Sequence, residues 1–133
     1  MTHDPTGSPG IQISELSQVH LDGLEEALAH GGGTHDLGHV LAAVRSGMAQ
    51  LWADGPCVIV TEVNDTPNEK ELHFWLAAGT LDEVVALSNK VMEWGREVGC
   101  TVATLCGRRG WAKALANEGW SHRMIEMGRR LDG

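Results

Sequence analysis

His35 and His39 stand four residues apart with Asp36 beside them, so on a helix both imidazoles would share one face, a spacing that metal ligands use. His30 precedes them across a Gly31-Gly32-Gly33 run. No H-E-x-x-H pattern, cysteine or distant carboxylate completes the set, so solvent-facing histidines and no metal are expected. Cys106 ends an apolar run beside a tight turn, where a thiolate nucleophile could sit. No histidine can be placed near it from the linear sequence, and a buried structural role is the expectation. The third constellation is CGRRGWAKALANEGW, which opens a helix on Arg108 and Arg109, where exposed amides already carry partial positive charge. Arginines in such a place hold an anion, face a partner, or survive from an earlier use of the turn.

The elements that must position these residues follow from spacing. Ile11 and Ile13 suggest a short first strand, and Leu21 to His30 a first helix. Thr34 can cap a second helix with an apolar face of Leu37, Val40, Leu41, Val44 and Met48. The Asp54-Gly55-Pro56 turn separates a strand around Leu51-Trp52 from CVIVTEV, and ELHFWLAA follows a polar loop from Asn64 to Lys70. Thr80-Leu81-Asp82-Glu83 is a capping box, in which the Thr and Glu side chains satisfy each other's free amides. The helix behind it buries a stripe that includes Leu81, Val84, Val91 and Gly95, and Gly99 stops it. TVATLC reads as a sheet centre covered on both faces. The arginine-led helix stops at Gly119, and a last strand runs from Trp120 to about Arg130.

A chain of 133 residues is one domain's worth, and its net charge of −8 argues against general binding to a phosphate backbone. The charge is uneven. From Arg108 onward six basic residues outnumber three acidic ones, leaving four basic and fifteen acidic residues in the rest, a polarity suited to meeting a copy or a partner head to tail. Three cysteines without a C-x-x-C pair fit reduced thiols of a cytoplasmic product better than a disulfide framework. No apolar run approaches the roughly 20 residues of a membrane span, and the N-terminus lacks the pattern of a secretory signal. Residues 1–10 hold Pro5, Gly7, Pro9 and Gly10, and are expected to be a flexible arm ahead of a domain at 11–133.

The element order, β-α-α-β-β-β-α-β-α-β, resembles the GNAT (Gcn5-related N-acetyltransferase) fold over about residues 11–131. The stretch that carries this best is Ala114-Leu115-Ala116-Asn117-Glu118-Gly119-Trp120, similar to the family's Leu-Tyr-x-Lys-Leu-Gly-Phe pattern between a short helix and a strand. The resemblance implies an α/β (α+β) single domain with a mixed, mostly antiparallel sheet of five to seven strands flanked by helices. The helix of residues 81–98 would pack on one face, beside a central strand at 101–106.

What the resemblance implies about chemistry is tempered by departures. GNAT enzymes hold the acetyl-CoA pyrophosphate on a basic, glycine-rich loop, Arg/Gln-x-x-Gly-x-Gly/Ala, whose bare amides approach the phosphates at a helix N-terminus. The matching junction here, Ala77 to Glu83, has one glycine, two carboxylates and no basic residue. Leu115 stands where many of these enzymes carry the tyrosine that protonates the departing thiolate, and the chain has no tyrosine. Acetyl transfer is therefore expected to be absent, with no cofactor. The alternative is an N-acetyltransferase that holds acetyl-CoA on Gly79, Thr80 and Leu81 and uses Glu71 or His73 as general base.

Small degenerate GNAT-like chains of this kind are similar to virion or morphogenesis proteins of tailed bacteriophages. That implies a non-catalytic assembly component in the producing cell's cytoplasm or in the virion. Its partners would be other protein subunits, with neither nucleic acid nor membrane. Arg108, Arg109, Trp111 and Trp94 are the expected contact residues, since Trp and Arg are enriched at interface anchors. Trp94 lies off the Val91, Met92, Gly95 stripe by about 120° at ~100° per residue.

Overall fold

A computed structural model describes residues 9–31, 34–107 and 109–132. The expected arm at 1–10, the last part of the Gly31-Gly32-Gly33 run and Arg108 lie wholly or largely outside the described residues. After a single 3-10 turn at Ile13–Glu15 come α1 (Gln18–Ala29), α2 (Leu37–Arg45), β1 (Ala49–Asp54), β2 (Cys57–Asp65) and β3 (Lys70–Ala78). Then follow α3 (Leu81–Glu97), β4 (Val102–Leu105) and α4 (Arg109–Leu115), the last extended by a 3-10 turn to Glu118.

The sheet order is β1-β2-β3-β4, antiparallel for the first three strands and parallel between β3 and β4. β1 and β2 join through Gly55-Pro56, where Gly55 has φ +56, the left-handed conformation that tight hairpins need at the first turn position. The side chains of β2 alternate strictly. Val58 and Val60 face α1 and α2 in a core with Leu24, Val40, Val44 and Leu51, while Cys57 and Ile59 face α3 in a second core with Leu72, Phe74, Val84, Leu87 and Val91. A strand covered on both faces must be apolar throughout, and the Cys57–Thr61 stretch of β2 is wholly buried.

The fold class is therefore as expected, an α+β single domain with a mixed sheet between helices. Four details differ. Ile11 donates its N–H to the Leu51 carbonyl at 2.7 Å, but the pairing stops at that one point because Ile13 turns into the 3-10 segment. α1 starts three residues earlier, at Gln18 behind the N-cap Ser17, because His20 completes the cap: Nδ1 accepts the Ser17 N–H at 3.1 Å and Nε2 donates to the Gly55 carbonyl at 2.7 Å. The cap of α2 is Asp36, which accepts the His39 N–H at 3.0 Å, rather than Thr34, and Met48 falls beyond the helix and is exposed.

The fourth difference is the largest. Among the described residues the sheet has four strands, not five to seven, because the stretch from Trp120 to Arg130 forms no ladder. β4 is consequently an edge strand, half-buried along its length, and the doubly covered centre is β2.

Candidate functional site

β3 and β4 run parallel and pair from Glu71–Val102 to Phe74–Leu105, after which β3 continues to Ala78 with no partner on that side among the described residues. The place where two parallel strands part, at their carboxyl ends and beside a helix N-terminus, is where ligands settle on open α/β sheets. Three groups of residues meet the criteria for chemistry around it.

The first is the turn into α3. Gly79 has φ +147, and a Cβ there would come within 3.1 Å of Cys57 Sγ, so the turn needs glycine both for its backbone angle and for room. Thr80 then caps α3: its Oγ1 accepts the Glu83 N–H at 3.3 Å, while Glu83 Oε1 accepts the Thr80 N–H at 2.8 Å. Gly79, Thr80 and Leu81 thus stand together and exposed at the end of a seventeen-residue helix, but the helix end is closed by its own side chains. Asp82 and Glu83 put two carboxylates in the first turn, where they complement the helix dipole in place of a bound anion. The Cys57 thiol behind the turn registers this field. Burial above all, then the Glu83 and Asp54 carboxylates, push it up to about 11.

The second group lies on the opposite face of β3. Glu71 and His73 alternate with Leu72 and Phe74, so both side chains point away from α3, half-buried rather than fully solvated. His73 is paired in register with Glu62 on β2 and Thr104 on β4, which sets an acid, an imidazole and a hydroxyl in one row across three strands. His73 Nδ1 and Thr104 Oγ1 are 2.9 Å apart. If Nδ1–H donates to that hydroxyl, the Nε2 lone pair is available as a base, one residue before the strands part. Directly after it, the register slips by one residue: Thr61 faces Phe74 but Val60 faces Leu76, leaving Trp75 as a bulge. The Trp75 ring meets His35 edge-on at 5.2 Å.

The third group is aromatic. Trp111 on α4 and Trp94 on α3 both border the α3-side core, half-buried, and Trp94 packs on Trp52 with ring centres 5.2 Å apart. Arg109 is the first residue of α4. Leu115, at the place matching the family's tyrosine, is buried as a packing residue. Gly119 has φ +85 and stops the helical turn as expected, and Trp120 lies edge-on to Phe74 at 5.8 Å.

The remaining candidates separate. His30, His35 and His39 are exposed, with His39 Nδ1 used in the α2 cap at 3.1 Å from the Asp36 N–H. Among the described residues no group of three or more His, Cys, Asp or Glu side chains could hold a metal. Cys106 is exposed rather than buried, because β4 ends before it and the edge leaves it uncovered. The sequence reading missed Glu62 and Thr104 as neighbours of His73, since strand register has no signature within either segment; the bulge at Trp75 was equally silent. No helix among the described residues is long and apolar enough to cross a membrane.

No protein-family model matches the chain, and no curated protein matches it by sequence. Solved structures do match. Glucosamine-6-phosphate N-acetyltransferase from Arabidopsis thaliana superposes with a TM-score of 0.64 at 14% identity, over 92% of this chain and 96% of that one. A probable acetyltransferase gives 0.61 at 10% identity, over 87% and 93%. An acetyltransferase of Trypanosoma brucei gives 0.53 at 18%, over 88% and 95%. At these identities the likeness is one of fold, and the fold is GNAT-like.

Proposed function

We propose that this protein is a GNAT-fold domain that no longer transfers acetyl groups and acts through protein–protein contacts as an assembly component. The setting is the one its sequence resemblance suggests, a tailed-bacteriophage particle. The observation that carries the reading is the reciprocal Thr80–Glu83 cap, with Asp82 beside it. An acetyl-CoA pyrophosphate would have to displace Glu83 from the Thr80 amide and sit against two carboxylates. Arg108, Arg109, Trp111 and Trp94 are the contact residues of this reading. An arginine at the start of a helix loses a few tenths of a kcal/mol against its dipole, a cost that pairing with carboxylates of another subunit reverses. Titration with acetyl-CoA in a calorimeter tests the reading: no saturable heat in the micromolar range is expected. The companion test is Arg108→Ala with Arg109→Ala, expected to leave or slightly raise the melting temperature while weakening incorporation into the assembly.

One observation favours a second reading, an N-acetyltransferase with an atypical cofactor loop. It is the Glu62–His73–Thr104 row at the parting of β3 and β4, in a fold shared with proteins named as acetyltransferases. In that case acetyl-CoA gives saturable heat, and His73→Ala or Glu71→Gln abolishes turnover while leaving that heat in place.

A further inference from the structure

Among the described residues, four helical segments close their first turn with a capping box. The side chain that reaches back is a carboxylate in two of them, Glu15 and Glu83, and an imidazole in the other two, His20 and His39. An imidazole accepts a backbone N–H only while the nitrogen concerned carries no hydrogen. At His20 the partners fix which nitrogen that is. The Gly55 carbonyl at 2.7 Å can only accept, so Nε2 carries the hydrogen, and Nδ1 is left to accept the Ser17 N–H at 3.1 Å. A second proton on this ring turns Nδ1 into a donor aimed at a donor. Ser17 Oγ, 3.2 Å from Nδ1, can receive that proton, but the Ser17 amide then has no acceptor. The ring is 7% exposed, so little water reaches it to hydrate a charge. No counter-charge stands in for that water: among the described residues no carboxylate forms an ion pair with His20. On its own helix, Asp22 takes the Gln18 amide at 2.8 Å, and Glu25 and Glu26 are exposed. Glu15, in the turn before α1, takes the Gln12 N–H at 2.6 Å, and Asp54 in the hairpin pairs with Lys90 of α3 at 3.7 Å. β3 meets α1 where Ala78 approaches Gly23, without a charge, and the charged groups of α2 are exposed.

We propose that His20 is a proton-operated latch between α1 and the β1–β2 hairpin, closed while Nδ1 accepts from Ser17 and released when the ring takes its second proton. The closed form binds one proton fewer than the released form, so acidification shifts the balance towards release. The range is the one in which an imidazole changes charge, roughly pH 8 to 5. Release loosens the first turn of α1, up to Leu21, whose N–H donates to the Ser17 carbonyl at 3.1 Å. Leu24, wholly buried, keeps the rest of the helix in the core. His39 holds the same position in its own box with the opposite outcome. Its side chain is 63% exposed, and Nδ1 lies 3.1 Å from Asp36 Oδ1, so an added proton forms an ion pair in place of the lost bond. The cap of α3, closed by Glu83, depends on no imidazole. The inference stands independently of whether the protein assembles or binds acetyl-CoA.

Amide hydrogen exchange of the full chain tests it, followed by NMR at about pH 7.5 and about pH 5.5 and normalised to the intrinsic rate at each pH. Protection of Leu21 should fall at least about tenfold at the lower pH, while the amides of β2 keep theirs. The Hε1 resonance of the His20 ring should titrate in step with that loss. Glutamine is an ordinary residue at this place in a capping box, so His20→Gln should hold Leu21 protection at both pH values. His39→Gln should keep the wild-type loss. Equal wild-type protection of Leu21 at the two pH values overturns the proposal, whether or not His20→Gln folds. So does an acid loss that persists in His20→Gln or disappears in His39→Gln, or a His20 ring that titrates without it.

Discussion

Glu83 Oε1 accepts the Thr80 N–H at 2.8 Å, across the end of α3 that points at the parting of the two parallel strands. One carboxylate here both starts a helix and occupies the approach to it. The two roles separate by mutation. Thr80→Ala removes one half of the cap and should cost about 1 kcal/mol, lowering the melting temperature by roughly 3–5 °C. Asp82→Asn with Glu83→Gln keeps the shape of the turn while removing its charge. If calorimetry then shows acetyl-CoA binding absent from the wild type, electrostatics alone closes the site.

Trp52 Nε1 donates to Thr61 Oγ1 at 2.9 Å, and that hydroxyl donates onward to Gln50 Oε1 at 3.0 Å, a polar chain inside the α3-side core. Thr61 has no exposed surface, so no water replaces it. Thr61→Val is nearly isosteric but strands a donor and an acceptor together. Denaturant unfolding should show a loss of about 2–4 kcal/mol, several times the cost of an ordinary surface change.

Burial, with Glu83 and Asp54 nearby, raises the Cys57 thiol from 9.0 to about 11. The folded state then holds this proton more tightly than the unfolded state does. That contribution to stability is complete below pH 9 and is lost as pH rises from 9 through 11. The decline attributable to Cys57 is at most about 2–3 kcal/mol and should vanish in Cys57→Ala, measured as the difference between the two proteins' stability-versus-pH curves. Alkylation at pH 8 should label the exposed Cys106 first and Cys57 only on unfolding.

A Cβ added at Gly23 on α1 would come within 2.8 Å of the Ala78 Cβ at the end of β3. Neither group can swing away, so α1 must lift. Gly23→Ala should therefore destabilise by about 1–2 kcal/mol, even after the helix propensity gained by replacing glycine. Adding Ala78→Gly should recover part of the loss in thermal melts.

The features legible in the sequence are those whose cause lies within a few residues. Thr80 and Glu83 satisfy each other three positions apart, and Gly55 and Gly119 adopt backbone angles that other residues resist. The helix caps that were misplaced show the limit of that locality. Asp36 outcompetes Thr34 because its side chain meets the His39 amide, and Ser17 caps α1 because His20 is held by Gly55, thirty-five residues away. Register is less local still. Nothing in ELHFWLAA announces that Trp75 will be skipped, or that His73 will lie between Glu62 and Thr104, because those outcomes belong to the pairing of three strands. The apolar composition of TVATLC is legible, but its place at an edge is not, because that depends on the stretch after Gly119, which forms no ladder among the described residues.

The parallel attachment of β4 also sets an order of assembly. β1, β2 and β3 form a meander closed by short turns, so each pairing forms at small entropic cost, whereas β4 must wait for all of α3 to be laid across the sheet. The last strand to dock, attached along one side by four residue pairs, is the first to leave. Native-state amide exchange should accordingly show β4 opening at lower free energy than β2, with α4 and the following segment released in the same step.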